Sequence, residues 1–309
     1  MSSYSDALPL AISVEKVETV QPVRSQPGSF RRVWWRHGLA VLALAWSLFP
    51  IVFIISAALN PSGTMNTAEL LPKNMSMTNF DALLSDTARP YLTWYKNSMI
   101  IAGSGALASV FIGACAAYAF SRMRFTGRRP GLFALLLLQM FPALLAFVAL
   151  YVTFVKVGDV MPAIGINTSA GLILAYLGGA MGANVWLLKG YFDTVPRELD
   201  EAAKVDGASH ARIFFTMTLR LVMPILVTVF MLSFVGLFGE FLLASIFLRD
   251  VDSQTLGVGL WSMMNVNGDR NKYFGQFCAG AMLASLPVVL LYLGFQKQLV
   301  GGLTQGSVK

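Results

Sequence analysis

The chain has 309 residues, of which 56% are hydrophobic and 13% charged, well short of the roughly 25% charged residues of an ordinary soluble domain. That composition excludes a conventional water-soluble enzyme and points to a lipid bilayer as the solvent. The net charge of +7 would suit a polyanion such as nucleic acid, but the basic residues are spread over the connectors between apolar runs and form no nucleic-acid-binding patch.

Residues 1–37 read as a polar cytoplasmic tail, with Pro22, Pro27 and Gly28 followed by Arg31, Arg32 and Arg36. The apolar run behind it, 38–59, is too long for the core of a signal peptide, which has about 7 to 15 residues. Five more runs follow at 98–120, 131–154, 170–188, 221–247 and 274–295. Each is long enough to cross about 30 Å of hydrocarbon as a helix. Their continuous apolarity favours helices over barrel strands, which alternate. The expected fold is therefore an all-α, polytopic membrane protein with six transmembrane helices, its membrane domain covering 38–300 and a short cytoplasmic tail at 301–309.

Most of the 23 lysines and arginines fall in the tail, in connectors 121–130 and 189–220, and at the C-terminus. Fewer fall in 60–97, 155–169 and 248–273. The positive-inside rule then places both termini of this multi-pass protein in the cytoplasm. Cys115 and Cys278 both lie inside apolar runs and offer neither a disulfide framework nor a metal site.

In the third run, Gln139 and Pro142 mark either an interrupted helix bordering a substrate path or a plain kink. Gly178, Gly179 and Gly182 in the fourth give a small surface suited to close helix packing. The connector 189–220 is too long for a turn between two spans. Within it, Thr194 can cap a helix, Pro196 fits its first turn, and Glu198, Asp200 and Glu201 place negative charge at its positive end. Gly207 suits a left-handed stop and Ser209 a second cap. Leu199, Ala202, Ala203 and Asp206 share one face by spacing. A helix lying along lipid headgroups is the plain alternative, but such helices carry basic faces and bulky apolar ones. This acidic, alanine-built segment better suits docking onto a soluble partner.

Glu240 is a carboxylate inside the fifth run, where an unpaired charge costs about 3 kcal/mol on insertion scales. It must face protein or water, either on the wall of the path or an inter-subunit contact, or in a structural hydrogen bond to a neighbouring helix. The last external connector carries Asn265, Asn267, Gly268, Asp269 and Asn271. No Gly-x-x-x-x-Gly-Lys-Ser/Thr loop occurs, and His37 and His210 belong to no hydrolase signature. The chain is thus not expected to be an enzyme.

Glu201-Ala202-Ala203, three residues, then Gly207, with Met217, Leu219 and Arg220 further on, resembles the "EAA" signature of the membrane subunits of binding-protein-dependent ABC importers. That signature has Ile and Pro where Met217 and Arg220 stand, and here Pro224 follows instead. Tyr118-Ala119-Phe120-Ser121-Arg122, Gln139-Met140-Phe141-Pro142, Lys189-Gly190-Tyr191-Phe192 and the tail 302–309 are similar to the smaller, MalG-type permease subunit of maltose and maltodextrin importers.

The resemblance implies a type I ABC importer permease fold and a role in importing maltose, maltodextrin or a similar oligosaccharide. It implies four partners besides membrane lipid: a homologous membrane subunit, two ATPase subunits that use ATP and Mg, and an extracytoplasmic sugar-binding protein. It further implies ATPase coupling through Glu201, Ala202, Ala203, Asp206, Gly207 and Leu219, with a C-terminal tail touching the ATPase. Asn265, Asn267, Gly268 and Asp269 would meet the binding protein. A permease for another sugar or an ion-coupled secondary transporter is the alternative, although the latter favours inverted repeats and intramembrane coupling groups.

Overall fold

The computed structural model describes residues 30–62, 64, 74–265 and 270–304. The longer helices are α1 (Phe30–Leu59), α3 (Tyr91–Arg122), α6 (Ser169–Thr194), α10 (Met223–Phe238) and α13 (Phe274–Thr304). Shorter ones are α2 (Thr78–Ser85), α4 (Arg128–Gln139), α5 (Ala143–Val160), α7 (Arg197–Val205), α8 (His210–Ile213), α9 (Leu219–Leu221), α11 (Leu242–Phe247) and α12 (Leu256–Asn265). No strand occurs among the described residues.

Two units make up the chain, Met1–Phe49 and Pro50–Lys309. Within the first, the described part of α1 exposes Trp34, Leu42 and Trp46, an apolar surface compatible with lipid or a protein neighbour. The second is organised around α3, which packs along α6 and α10, while α10 packs on α13. Small residues permit this. A Cβ on Gly113 of α3 would meet Asn184 of α6 at 3.2 Å, and one helix turn away the Asn184 side chain donates to Ser109 Oγ at 2.7 Å. Close backbone approach and a side-chain hydrogen bond are the usual means of joining helices where the surroundings are as apolar as the contact.

Among the described residues, four helices are long and apolar enough to cross a membrane, and two bent pairs bring the number to six if each is one span. Two expected spans are not continuous helices. The run 131–154 breaks between Gln139 and Ala143, because Pro142 lacks the N–H of a continuing helix and its ring clashes with the carbonyl four residues back. Phe141 N instead bonds Leu138 O at 3.3 Å, a tighter closing turn. The run 221–247 starts afresh at Met223 after a 78° bend, stops at Phe238 and resumes at Leu242.

Pro224 stands in the first turn of α10, where a missing N–H is harmless. It turns the chain where the signature's proline is replaced by Arg220. Of the three glycines in the fourth run, Gly182 faces the Gln139 side chain, whereas Gly178 and Gly179 have open space beside them. Only one of the three therefore serves close packing within this chain.

Connector 248–273 was expected to be a loop but contains α12, whose Leu256, Leu260, Met263 and Met264 are buried. Gly259 presses against Trp94 so closely that a Cβ there would lie 2.1 Å from the indole.

Candidate functional site

The connector between the fourth and fifth runs forms one end of the second unit. Thr194 does not cap α7 as its residue type suggests: its Oγ1 donates to Tyr191 O at 2.7 Å and closes α6. Pro196 occupies the cap position, preceding the first turn, with ψ 133°. It also holds Val195 extended, as proline does to the residue before it. Helix α7 then runs from Arg197 to Val205, with Glu198 and Asp200 in its first turn.

Its far end is the left-handed stop expected from Gly207, whose φ is +80°. Ala208 N bonds Ala203 O and Gly207 N bonds Lys204 O, both at 2.9 Å. This pair of hydrogen bonds satisfies two terminal carbonyls in the Schellman arrangement. Ser209 Oγ then accepts from Arg212 N at 3.3 Å and starts α8.

The shared face expected for Leu199, Ala202, Ala203 and Asp206 divides. Ala203 is buried together with Asp200, whereas Leu199, Glu201, Ala202, Val205 and Asp206 are exposed. A pair spaced by three faces inward because Arg122, the last residue of α3, waits there. Arg122 Nε stands 3.1 Å from Asp200 Oδ2, and Nη2 donates to Phe192 O at 2.9 Å and Val195 O at 2.6 Å.

Around this pair, Ser121 Oγ donates to Asp193 Oδ1 at 2.6 Å, Lys189 pairs with the same carboxylate, and Arg128 Nε donates to Phe120 O at 2.6 Å. A cleft of about 490 Å³ opens beside the pair, lined among others by Arg124, Arg197, Lys204 and His210. Sequence reasoning missed Arg122 and the inward role of Asp200. The available signal was the position of Arg122 at the end of an apolar run, next to a connector rich in acids.

Leu219 is not part of the α7 surface. It lies in α9, beyond a wide helical turn at Phe214–Thr218, half-buried against the core cluster that includes Tyr118, Phe192 and Phe214. The structure thus brings Glu201, Ala202, Asp206 and Gly207 to one exposed segment, with Ala203 beneath it and Leu219 elsewhere.

The three residues expected along a path all stand at breaks between helices. Gln139 ends α4 with its side chain against Gly182, and Pro142 caps α5. Glu240 lies in the gap between α10 and α11. Its Oε1 accepts from Leu243 N at 2.8 Å and its Oε2 from Ala244 N at 3.0 Å, and Tyr176 of α6 donates its hydroxyl to Oε2. The carboxylate therefore supplies acceptors to backbone groups that a helix start leaves unpaired, and it makes the hydrogen bond to a neighbouring helix that its sequence context allowed.

At the opposite end of α3, backbone of 249–256 is held by neutral side chains. Trp94 Nε1 donates to Val251 O at 2.7 Å, and Asn97 Nδ2 donates to Asp252 O at 2.8 Å and Gln254 O at 3.0 Å. Ser98 Oγ accepts from Leu256 N and Asn167 Oδ1 from Arg249 N, both at 2.7 Å. Asn265 closes α12 through its own turn and accepts from Arg270 at 3.0 Å. Asn267, Gly268 and Asp269 lie outside the described residues.

Residues 109–304 match the family of binding-protein-dependent transport system inner membrane components. The maltose/maltodextrin transport system permease protein MalG of Vibrio vulnificus strain YJ016 is 41% identical over 289 residues, covering 90% of this chain and 96% of that protein. The MalG proteins of Yersinia pestis and Escherichia coli K12 are 40% and 39% identical, covering 94% and 92% of this chain and 99% and 98% of their own lengths.

A chain of a bacterial ABC transporter that imports the acidic polysaccharide alginate superposes with a TM-score of 0.74 at 22% identity, over 88% of this chain and 98% of that one. A second alginate transporter structure, in complex with its pentasaccharide-bound periplasmic protein, superposes at 0.60 and 15% identity, over 86% and 94%. These two establish the fold, that of a type I ABC importer permease. From the sequence matches, the chain belongs to the family of binding-protein-dependent transport system inner membrane components and is homologous to its MalG-type permease subunits.

Proposed function

We propose that the chain forms half of the translocation path of an ATP-driven importer for maltose and maltodextrins, paired with a homologous membrane subunit and served by a sugar-binding protein. In this reading it lies in the inner membrane with both termini cytoplasmic, and ATP is hydrolysed with Mg in two separate ATPase subunits. Segment α7 is the element they grip. The observation that carries the reading is the build of α7: an exposed acidic surface of Glu201, Ala202 and Asp206, closed by a left-handed Gly207, on a chain homologous to maltodextrin permeases.

The identity of the relatives supports the sugar, and the alginate transporter bound to its periplasmic protein supports a binding-protein partner. Transport proceeds by alternating access, the spans rotating when closure of the ATPase pair displaces α7, and this chain makes or breaks no covalent bond. Gln139, Pro142 and Glu240 would border the path, Asn265, Asn267, Gly268 and Asp269 would face the binding protein, and residues 301–309 would reach the ATPase.

The test is reconstitution of the chain with these partners in vesicles, in a background lacking Cys115 and Cys278. Maltotriose uptake should require ATP, and Ala202→Cys should cross-link to the ATPase. Uptake that ignores ATP, or a cross-link that never forms, would overturn the reading.

A further inference from the structure

Arg122 and Asp200 are ionic side chains buried almost completely, at 4% and 9% exposure. Taking both charges out of water is unfavourable unless geometry and extra hydrogen bonds compensate, and here the guanidinium adds two hydrogen bonds to carbonyls through Nη2. A single guanidinium terminates α3, grips the two carbonyls where α6 ends, and pairs with α7. Its Nε and Nη1 are buried and make no hydrogen bond, so Nε meets the Asp200 carboxylate as an ion pair at 3.1 Å and the two carbonyls supply the hydrogen bonds.

Two covalent links join α7 to its neighbours. On one side is the extended Val195-Pro196 pair, whose torsions the proline ring restricts; on the other is the left-handed Gly207 corner, where a residue without a Cβ can absorb rotation. Displacement of α7 can therefore be lost at the Gly207 corner, and what reaches the spans passes through Val195 and through the side chain that grips both Val195 O and Asp200.

We propose that Arg122 is a positioning residue that conveys displacement of α7 into α3 and α6. The inference rests on the reading of α7 as the segment the ATPase moves. Because α3 and α6 are joined through Gly113, Asn184 and Ser109, a pull on the end of α3 is delivered to the packed pair rather than to one helix. Lysine cannot replace the fork, since its ammonium is one point charge, whereas Arg122 serves acceptors from two segments in one plane.

The experiment uses the complete importer in vesicles and reads sugar imported per ATP hydrolysed, with the Ala202→Cys cross-link as a second readout. Arg122→Lys and Arg122→Gln should keep the cross-link and lower the ratio about tenfold, and Asp200→Asn should lower it about threefold, within the range for residues coupling two sites. The double variant Arg122→Gln with Asp200→Asn should be no worse than Arg122→Gln alone, the signature of two groups acting as one. A structural role alone would reduce the amount of complex without changing the ratio per complex.

An unchanged ratio in Arg122→Lys or Arg122→Gln, with the cross-link intact, overturns the inference. Should neither Arg122 variant accumulate, Asp200→Asn decides, because it leaves both carbonyl contacts in place and an unchanged ratio there is equally fatal. Absence of the cross-link in the otherwise unmodified chain would instead strike the coupling reading itself.

Discussion

The two ends of α3 are fastened in opposite ways. At Trp94, Asn97 and Ser98, neutral side chains bond the backbone of 251–256, and a buried indole lies flat against Gly259. At Arg122, one charged side chain reaches two backbone carbonyls and one carboxylate. Neutral bonds spread over several residues make a platform that yields little at any single point. A buried ion pair concentrates the attachment in one place and ties it to one direction. The difference teaches that one end of the helix is held at many points and the other at one, which is what the pulling role proposed for Arg122 requires.

Removing the indole should show the larger effect on stability. Trp94 is fully buried, and Trp94→Ala should destabilise the protein by about 3–5 kcal/mol, the range for a large aromatic lost from a core. Thermal unfolding in detergent measures this. The Ala202→Cys cross-link to the ATPase should survive at temperatures where the variant is folded, and its loss there would mean that the two ends are not independent.

Glu240 sits between the ends and tests whether a charge in the middle of a span behaves like either. Glu240→Ala removes acceptors for two backbone N–H groups and the Tyr176 hydroxyl. About 1.5–3 kcal/mol should be lost, as for hydrogen bonds to a charged group. Glu240→Gln should retain most of that, and Glu240→Lys should be worst because it sets a cation at a helix start. Uptake unchanged in both the Ala and the Lys variants would remove any role for the carboxylate.

Gly207→Val sharpens the contrast from the pulled end. A β-branched residue at φ +80° costs about 1–2 kcal/mol, too little to unfold the protein. Membrane levels should stay normal while transport fails, because the corner would point α7 elsewhere. Normal transport with the ATPase bound would deny α7 its role. The smallest effect is expected for Asn97→Ala, about 0.5–1.5 kcal/mol for neutral hydrogen bonds, with uptake unchanged. A large loss of uptake would show that the platform end also moves.

What could be read beforehand follows from how local each cause is. Gly207 and Ser209 were legible because a left-handed stop and a cap depend on the residues beside them. Thr194 misled because Pro196 fixed where α7 could begin, leaving the threonine to close α6 instead. The face of Leu199, Ala202, Ala203 and Asp206 has the correct spacing, yet spacing alone does not say which part turns inward. Arg122 decides that, and it stands in another helix far away in the chain.

The apolar runs announced spans but hid their breaks. Pro142 gave a partial warning of one. At Gly239-Glu240-Phe241 the warning was the carboxylate itself, read either as a wall or contact or as a structural hydrogen bond to a neighbouring helix; it makes that bond and also starts a helix. Helix α12 went unseen because Gly257 and Gly259 within it look like loop residues, although the second is a seat for Trp94.

Synthesis runs from the N-terminus, so Tyr176 is made and threaded before Glu240 leaves the ribosome. The carboxylate therefore enters the bilayer with a hydroxyl donor already in place on the preceding span, and its helix-starting amides follow within four residues. The penalty for bringing a charge into hydrocarbon is shared between two spans, so the order of insertion itself becomes part of how this helix can be broken without being rejected by the lipid.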